Sequence, residues 1–176
     1  MKILRIALIG FLLVFGVYAV LSIIGPKKLE TSRSISINAP LDKVYALTSD
    51  FTTWSSWSPW QLKDAQMKNV VSGTPGALGH TMTWESETQG SGTQEIVEVV
   101  PSSLVKTSLK FKDWDETSYA SFIMTPEGEG TKLTWTMEGG NVPFLLRGMM
   151  VIFGAQSSIE SDYEQGLANI KKLAEQ

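Results

Sequence analysis

Nineteen consecutive residues without a charge, Ile6 to Ile24, constrain this chain more than any other feature. As a helix rising about 1.5 Å per residue, such a run reaches about 28 Å, close to the thickness of a bilayer's hydrocarbon core. It is apolar all round and lacks the polar face of a helix half buried in a soluble domain. Lys2 and Arg5 precede it, and Gly25-Pro26 ends it, because proline has no N–H to continue a helix and disfavours helical geometry just before itself. Lys27 and Lys28 then set charge at the level of the headgroups. The expectation is a single-pass membrane anchor over residues 1–28, spanning 6–24, followed by one soluble domain over 29–176.

A cleaved signal peptide is the alternative, since Val17-Tyr18-Ala19 offers small residues at a suitable distance. The apolar run continues through Val20, Leu21, Ile23 and Ile24, where signal peptides turn polar, and this favours an uncleaved anchor. Lys2, Arg5 and the amino terminus nearly balance Lys27, Lys28 and Arg33 as flanking charge. A short, positively charged tail usually stays inside, which favours an extracytoplasmic domain.

Charge and composition remove several function classes. Two of the 15 basic residues precede the apolar run, whereas all 18 acidic residues follow it, so the soluble part is acidic. Nucleic acid is therefore not an expected partner, because its phosphates need a basic face. Absence of cysteine excludes disulfides, thiol nucleophiles and Cys-based zinc sites. His80 is the single histidine, so a multi-histidine metal site is impossible and any Ser-His-Asp triad would have to use it. No Gly-rich loop has phosphate-cradling spacing followed by Lys and Ser or Thr, and neither a cofactor nor a metal is expected.

The pattern after the anchor predicts a polar link at Leu29–Ser34 and then a strand through Asn38, followed by a helix opened by Ala39-Pro40. Asp50 is a good N-cap for a second short helix through Trp54 and Trp57, ended by Ser58-Pro59. Six strands follow between Met67 and Glu138; Leu104–Phe111 alternates most clearly, and two strands flank a turn at Pro126–Gly130. The last element is a long amphipathic helix with Ile159, Tyr163, Leu167 and Ile170 on its apolar face. An antiparallel sheet with one polar face must cover the other, and only this helix is large enough. The expected fold class is α+β, a helix grip in which a curved antiparallel sheet wraps round the C-terminal helix, with short helices at its mouth.

Several segments in order resemble a known family. Ser36-Ile37-Asn38-Ala39-Pro40, Val44-Tyr45, Asp50 and Trp54-Ser55-Ser56-Trp57-Ser58-Pro59-Trp60 are similar to the opening of polyketide cyclase/dehydrase-like proteins of the START-like (SRPBCC) superfamily. Glu98-Val99-Val100-Pro101, Gly130–Trp135 and Gly166–Lys171 extend the likeness over roughly residues 34–176. The resemblance implies the helix-grip fold and a cup for a hydrophobic small molecule or lipid. It leaves the task open, because this fold serves lipid transfer, hormone binding and ring cyclisation alike. An anchor ahead of such a domain is similar to an arrangement in bacterial members.

The inward positions of the cup are expected to be Met82, Trp84, Leu109, Phe111, Phe122, Met124, Leu133, Trp135 and Met137. Each either packs the helix on the sheet or lines a cavity; methionines and flat aromatics suit an adaptable apolar pocket. Tyr163 is a further ligand candidate through its hydroxyl, and Trp57 and Trp60 are candidates for the cavity entrance, against a role in anchoring the short helices. His80 reads as a polar residue at a strand start rather than a general base. Glu95 and Glu98, three apart, do not share a strand face and give no paired carboxylates. Phe144–Met150 reads as the start of the long-helix region packed as core, with bilayer contact as the alternative.

Scarcity of chemical groups favours a non-catalytic, membrane-anchored binding module. The alternatives are a membrane-side interaction domain and a cyclase or dehydrase acting on an aromatic or polyketide-like substrate, with catalytic residues unassigned.

Overall fold

In the computed structural model, which describes residues 2–176, α1 (Lys2–Ile24) stands with almost every side chain exposed. It is the one described helix long and apolar enough to cross a membrane. The rest of the chain builds a seven-stranded antiparallel sheet in the order β1-β7-β6-β5-β4-β3-β2. These strands are β1 (Lys28–Ile37), β2 (Lys68–Ser72), β3 (Thr81–Glu85), β4 (Gly92–Val100), β5 (Leu104–Phe111), β6 (Ser118–Glu127) and β7 (Gly130–Asn141). β2 to β7 form a meander, and β1 closes the far edge against β7. Between β1 and β2 the chain runs through α2 (Leu41–Ser49), a 3-10 turn (Phe51–Ser56) and α3 (Pro59–Lys63). After β7 come α4 (Phe144–Phe153) and the long α5 (Ala155–Ala174). This is the expected α+β helix grip.

Three local expectations are corrected. Leu29–Ser34 is not a link; it is the first half of β1, paired with β7 through Thr31–Met137 and Arg33–Trp135. The alternation was hidden by Arg33, a charge at an inward position, which is held there by Glu160 at 2.5 Å and Glu164 at 2.8 Å on α5. The same two carboxylates hold the Arg33 guanidinium above its ordinary value, the Glu164 hydrogen bond most of all. The second short helix ends before Ser58-Pro59 as expected, but a third was not expected: Ser58-Pro59 begins α3, with Pro59 in the first turn, where its missing N–H costs nothing. Asp50 caps the 3-10 turn as expected, accepting from the Thr52 N–H at 2.9 Å.

The third correction concerns Phe144–Phe153. It is a separate helix, broken from α5 by Gly154 at φ +61°, a left-handed conformation that glycine adopts without a Cβ clash. It does not pack as core: Phe144, Leu145, Ile152 and Phe153 are all exposed, and Gly148 is its one buried residue.

The core forms where α5 and the 3-10 turn press on the sheet. Leu167, Ile170 and Ala174 of α5 are buried with Ile37 and Leu133, and Val44 of α2 is sealed beside them. Trp54 of the 3-10 turn and Trp57, which follows it, meet Phe122 at 5.8 and 5.9 Å between ring centroids. Trp135 on β7 stacks between Phe122 at 4.7 Å and Tyr163 at 4.0 Å. Such aromatic pairs add about 0.5–1.5 kcal/mol each beyond the area they bury.

Gly166 allows the approach of α5 to this stack, since a Cβ there would sit 2.7 Å from the Trp135 ring. Gly166→Val is therefore expected to overpack the contact and cost about 1–3 kcal/mol. Urea unfolding of the full chain in detergent micelles, followed by near-ultraviolet circular dichroism, checks this; an unchanged midpoint would mean that α5 can move away from Trp135 freely.

Candidate ligand cavity

The concave face of the sheet is set by register. Met82 lies opposite Gln94, and Gln94 opposite Leu109; Trp84 lies opposite Gly92, and Gly92 opposite Phe111. At Gly92 the Trp84 ring passes so close that a Cβ would lie 2.5 Å from it, and this clearance lets Trp84 meet Phe111 edge to face at 5.6 Å. The helices cover the β1–β7 side of this face and leave its β3–β5 side partly unfilled. The result is a cavity of about 120 Å³. Met82, Trp84, Leu109, Phe111, Ala120 and Trp135 line it from the sheet, with Trp54, Trp60 and Tyr163 opposite. Gln61, Asn69, Gln89 and Gln94 are among its polar members.

Two residues of this wall carry a polar atom with no partner among the described residues. The Trp135 indole N–H and the Asn69 side-chain oxygen are both buried and unpaired. An unpaired buried polar atom costs about 1–3 kcal/mol, so each has room for a partner such as a water or a bound molecule. The neighbouring groups are satisfied: Asn69 donates through its amide nitrogen to Gln61, and Gln94 donates to the Thr107 hydroxyl at 2.8 Å. Tyr163 is the single titratable residue lining the cavity, and burial pushes its phenol well above the ordinary value.

Of the residues expected at the site, Met82, Trp84, Leu109, Phe111, Trp135, Tyr163 and Trp60 line this cavity. Phe122 and Met124 share the inward face but are sealed in the core at 0% and 2% exposure and line neither described cavity. Met137 lines a second cavity, of about 340 Å³, of which Phe111 is also a wall. Trp57 is not at an entrance: it is fully buried, and its indole donates to the Leu47 carbonyl at 3.0 Å. The 3-10 turn rotates Trp57 into the sheet, whereas α3 leaves Trp60 half-buried at the cavity wall.

Sequence reasoning passed over Asn69, Gln61, Gln94 and Ala120. A usable signal existed for two of them, since Asn69 and Gln94 are polar residues at inward positions of alternating strands. His80 is buried away from the cavity. Its Nδ1 donates to the Ser72 carbonyl at 2.9 Å, and its Nε2 accepts the Phe51 N–H at 3.1 Å, with the ring stacked on Phe51. Both ring nitrogens are committed to the backbone, which leaves none for base chemistry.

The profile of the family described as polyketide cyclase / dehydrase and lipid transport matches residues 28–175. The chain belongs to this family. No curated protein matches it in sequence. Among solved structures, a Chromobacterium violaceum protein superposes with a TM-score of 0.62 at 16% identity, over 84% of this chain and 98% of its own. The solution structure of the Aha1 dimer from Colwellia psychrerythraea gives 0.58 at 17% identity, over 83% of this chain and 96% of its own. The di-domain ARO/CYC protein StfQ of the steffimycin biosynthetic pathway gives 0.67 at 12% identity, over 84% of this chain and 51% of its own. At these identities the likeness establishes the fold. Within it, this family member has a cavity walled by aromatics and capped by amides.

Burial of the Tyr163 phenol ties the stability of the fold to alkaline pH. Its folded-state value lies above the unfolded value of 10.0, so its contribution to stability is complete below that pH and is lost as pH rises past it. Absorbance titration should leave one of the four tyrosines un-ionised until the chain unfolds in alkali. Tyr163→Phe should abolish that late step, whereas full ionisation of a folded wild type near the ordinary value would contradict the burial.

Proposed function

We propose that this chain is a membrane-anchored binding module that holds a hydrophobic small molecule in the 120 Å³ cavity without transforming it. The observation that carries the reading is the pairing of an apolar aromatic wall with two buried, unpartnered polar atoms, the Trp135 N–H and the Asn69 oxygen. The ligand that fits is largely apolar, with one acceptor for Trp135 and one donor for Asn69. At about 120 Å³ the cavity is smaller than the roughly 150 Å³ one that accepts a benzene ring, so it takes a short chain segment as it stands and a single ring once the wall yields. Methionines 67 and 82 in the wall let it adapt to something larger. The family description, with its lipid transport, agrees with a carrier. In this reading α1 is an uncleaved span, with the domain on the extracytoplasmic side.

The fold likeness to an ARO/CYC protein keeps a cyclase or dehydrase as the second reading. In that case Tyr163 is the available acid, since no carboxylate, lysine or histidine is among the residues lining the cavity. Tyr163→Phe distinguishes the two: a carrier keeps its ligand, and an enzyme loses turnover.

The test is native mass spectrometry of residues 27–176, which keep β1 whole, before and after extraction with organic solvent. The wild type should carry an extractable mass. Ala120→Trp, which fills the cavity from β6, should lose it while circular dichroism remains native-like. Trp135→Phe should weaken rebinding about five- to a hundredfold, the worth of a lost buried hydrogen bond. A clean apo mass in the wild type, or a retained ligand in folded Ala120→Trp, would sink the proposal.

A further inference from the structure

Outside α1, the densest run of exposed apolar residues lies on α4. Phe144, Leu145, Ile152 and Phe153 are 47%, 64%, 55% and 75% exposed. Helices on a water-facing surface carry polar residues there, and a contiguous apolar patch marks a contact surface.

The other side of α4 identifies what it meets. Gly148 packs on α1 so closely that a Cβ would lie 2.6 Å from the Ser22 hydroxyl and 2.9 Å from the Tyr18 ring. Gly25 likewise abuts Arg147, whose carbonyl oxygen would lie 2.7 Å from a Cβ added there. The Tyr18 hydroxyl donates to the Leu145 carbonyl, and the Val142 N–H to the Lys27 carbonyl at 2.9 Å. Small residues that bring two helix backbones together are the packing mode of helices inside bilayers. These contacts run from Tyr18 to Lys27, the last turns of α1 and its exit. If α1 spans the bilayer, α4 lies within the adjoining leaflet, its exposed apolar face continuous with that of α1. Lys27 and Lys28 emerge at this level, where lipid headgroups offer phosphate.

Behind α4 is the second cavity, of about 340 Å³, more than twice the volume that accepts a benzene ring, about 150 Å³. Leu146, Met149, Met150 and Phe153 of α4 form one wall; Phe111 and Met137 of the sheet form another. Glu116 and Ser118 are its polar members.

We infer that this second cavity is a binding site for the hydrocarbon chain of a bilayer lipid, which enters beneath α4 from the leaflet in which that helix lies. The inference rests on reading α1 as a membrane span and is independent of what fills the smaller cavity. Walls that are apolar apart from Glu116 and Ser118, a helix embedded at chain depth and an opening beside it supply what an acyl chain needs, which is removal of its surface from water. Phe111 is a wall of both cavities, so a chain in this site ends against the smaller one.

The full chain, reconstituted in phosphatidylcholine vesicles whose lipids carry a diazirine on one acyl chain, tests this by irradiation and peptide mapping. Adducts are expected on α1, on α4 and on Met137. Met137 decides the matter, because it sits on β7 at 7% exposure, out of reach of a chain that remains in the leaflet. Ala155→Phe, which narrows the cavity, should reduce Met137 adducts severalfold and leave those on α1 unchanged. Adducts on α1 without Met137 would overturn the site while the anchor stands. Chain-to-chain crosslinks at Phe144 and Phe153 in place of lipid adducts would identify a second copy as the occupant and also overturn it. Absence of adducts on α1 itself would remove the membrane span, and this inference with it.

Discussion

The stack of Trp135 between Phe122 and Tyr163 holds the sheet to its helix. Trp135 belongs to β7, Phe122 to β6 and Tyr163 to α5, so one ring fixes two strands and the helix they grip. Trp57 and Trp60 approach the same ring edge to face at 5.6 and 5.8 Å, which ties the short helices to that point as well. Edge-to-face and offset pairs are favoured by the ring quadrupole, so the cluster sets orientation as well as burying area. The cost of this arrangement is the buried Trp135 N–H, which has no partner among the described residues.

The uneven cover of the sheet explains why empty space lies where it does. α5 runs over β1 and β7, with Arg33 clamped by Glu160 and Glu164 at one point and Lys171 donating to the Ser36 carbonyl at another. β3 to β5, at the other end, have no long helix running along them, and the gap is closed by Trp54 of the 3-10 turn, by α3 and the loop preceding β2, and by Tyr163. A short helix with one half-buried tryptophan cannot fill the concavity of a twisted sheet. The smaller cavity follows from that shortfall, and the larger one from α4 turning away from the sheet toward α1.

Much of this was legible in the residues. The inward face of the sheet was readable because side chains in strands alternate with a period of two, and a long apolar run has few homes other than a bilayer. The first half of β1 was not, because Arg33 broke the alternation; its ion-pair partners are more than a hundred residues away on α5, and no local pattern announces them. The role of Trp57 was open between anchor and entrance for a related reason: a tryptophan at a helical corner faces either the core or the opening, and the 3-10 turn decides for the core. α4 was read as core because it is apolar, yet apolarity does not say which apolar neighbour a helix takes.

By itself the sequence determined the elements, their order and the chemistry the chain lacks: one histidine, no cysteine, an uncharged first helix and a strand face rich in methionine and aromatic rings. Those are properties of residue type and period, and they are fixed before any distant contact forms. Tertiary structure decided which inward residues touch empty space and which touch one another, so that Met82 and Trp84 line a cavity while Phe122 and Met124 on the same face do not. It also decided that the Trp135 N–H and the Asn69 oxygen have no partner among the described residues and that α4 lies against α1. Period fixes the face on which a side chain lies, but what lies across from that face depends on where the helices dock, and docking is settled by packing between residues far apart in the chain.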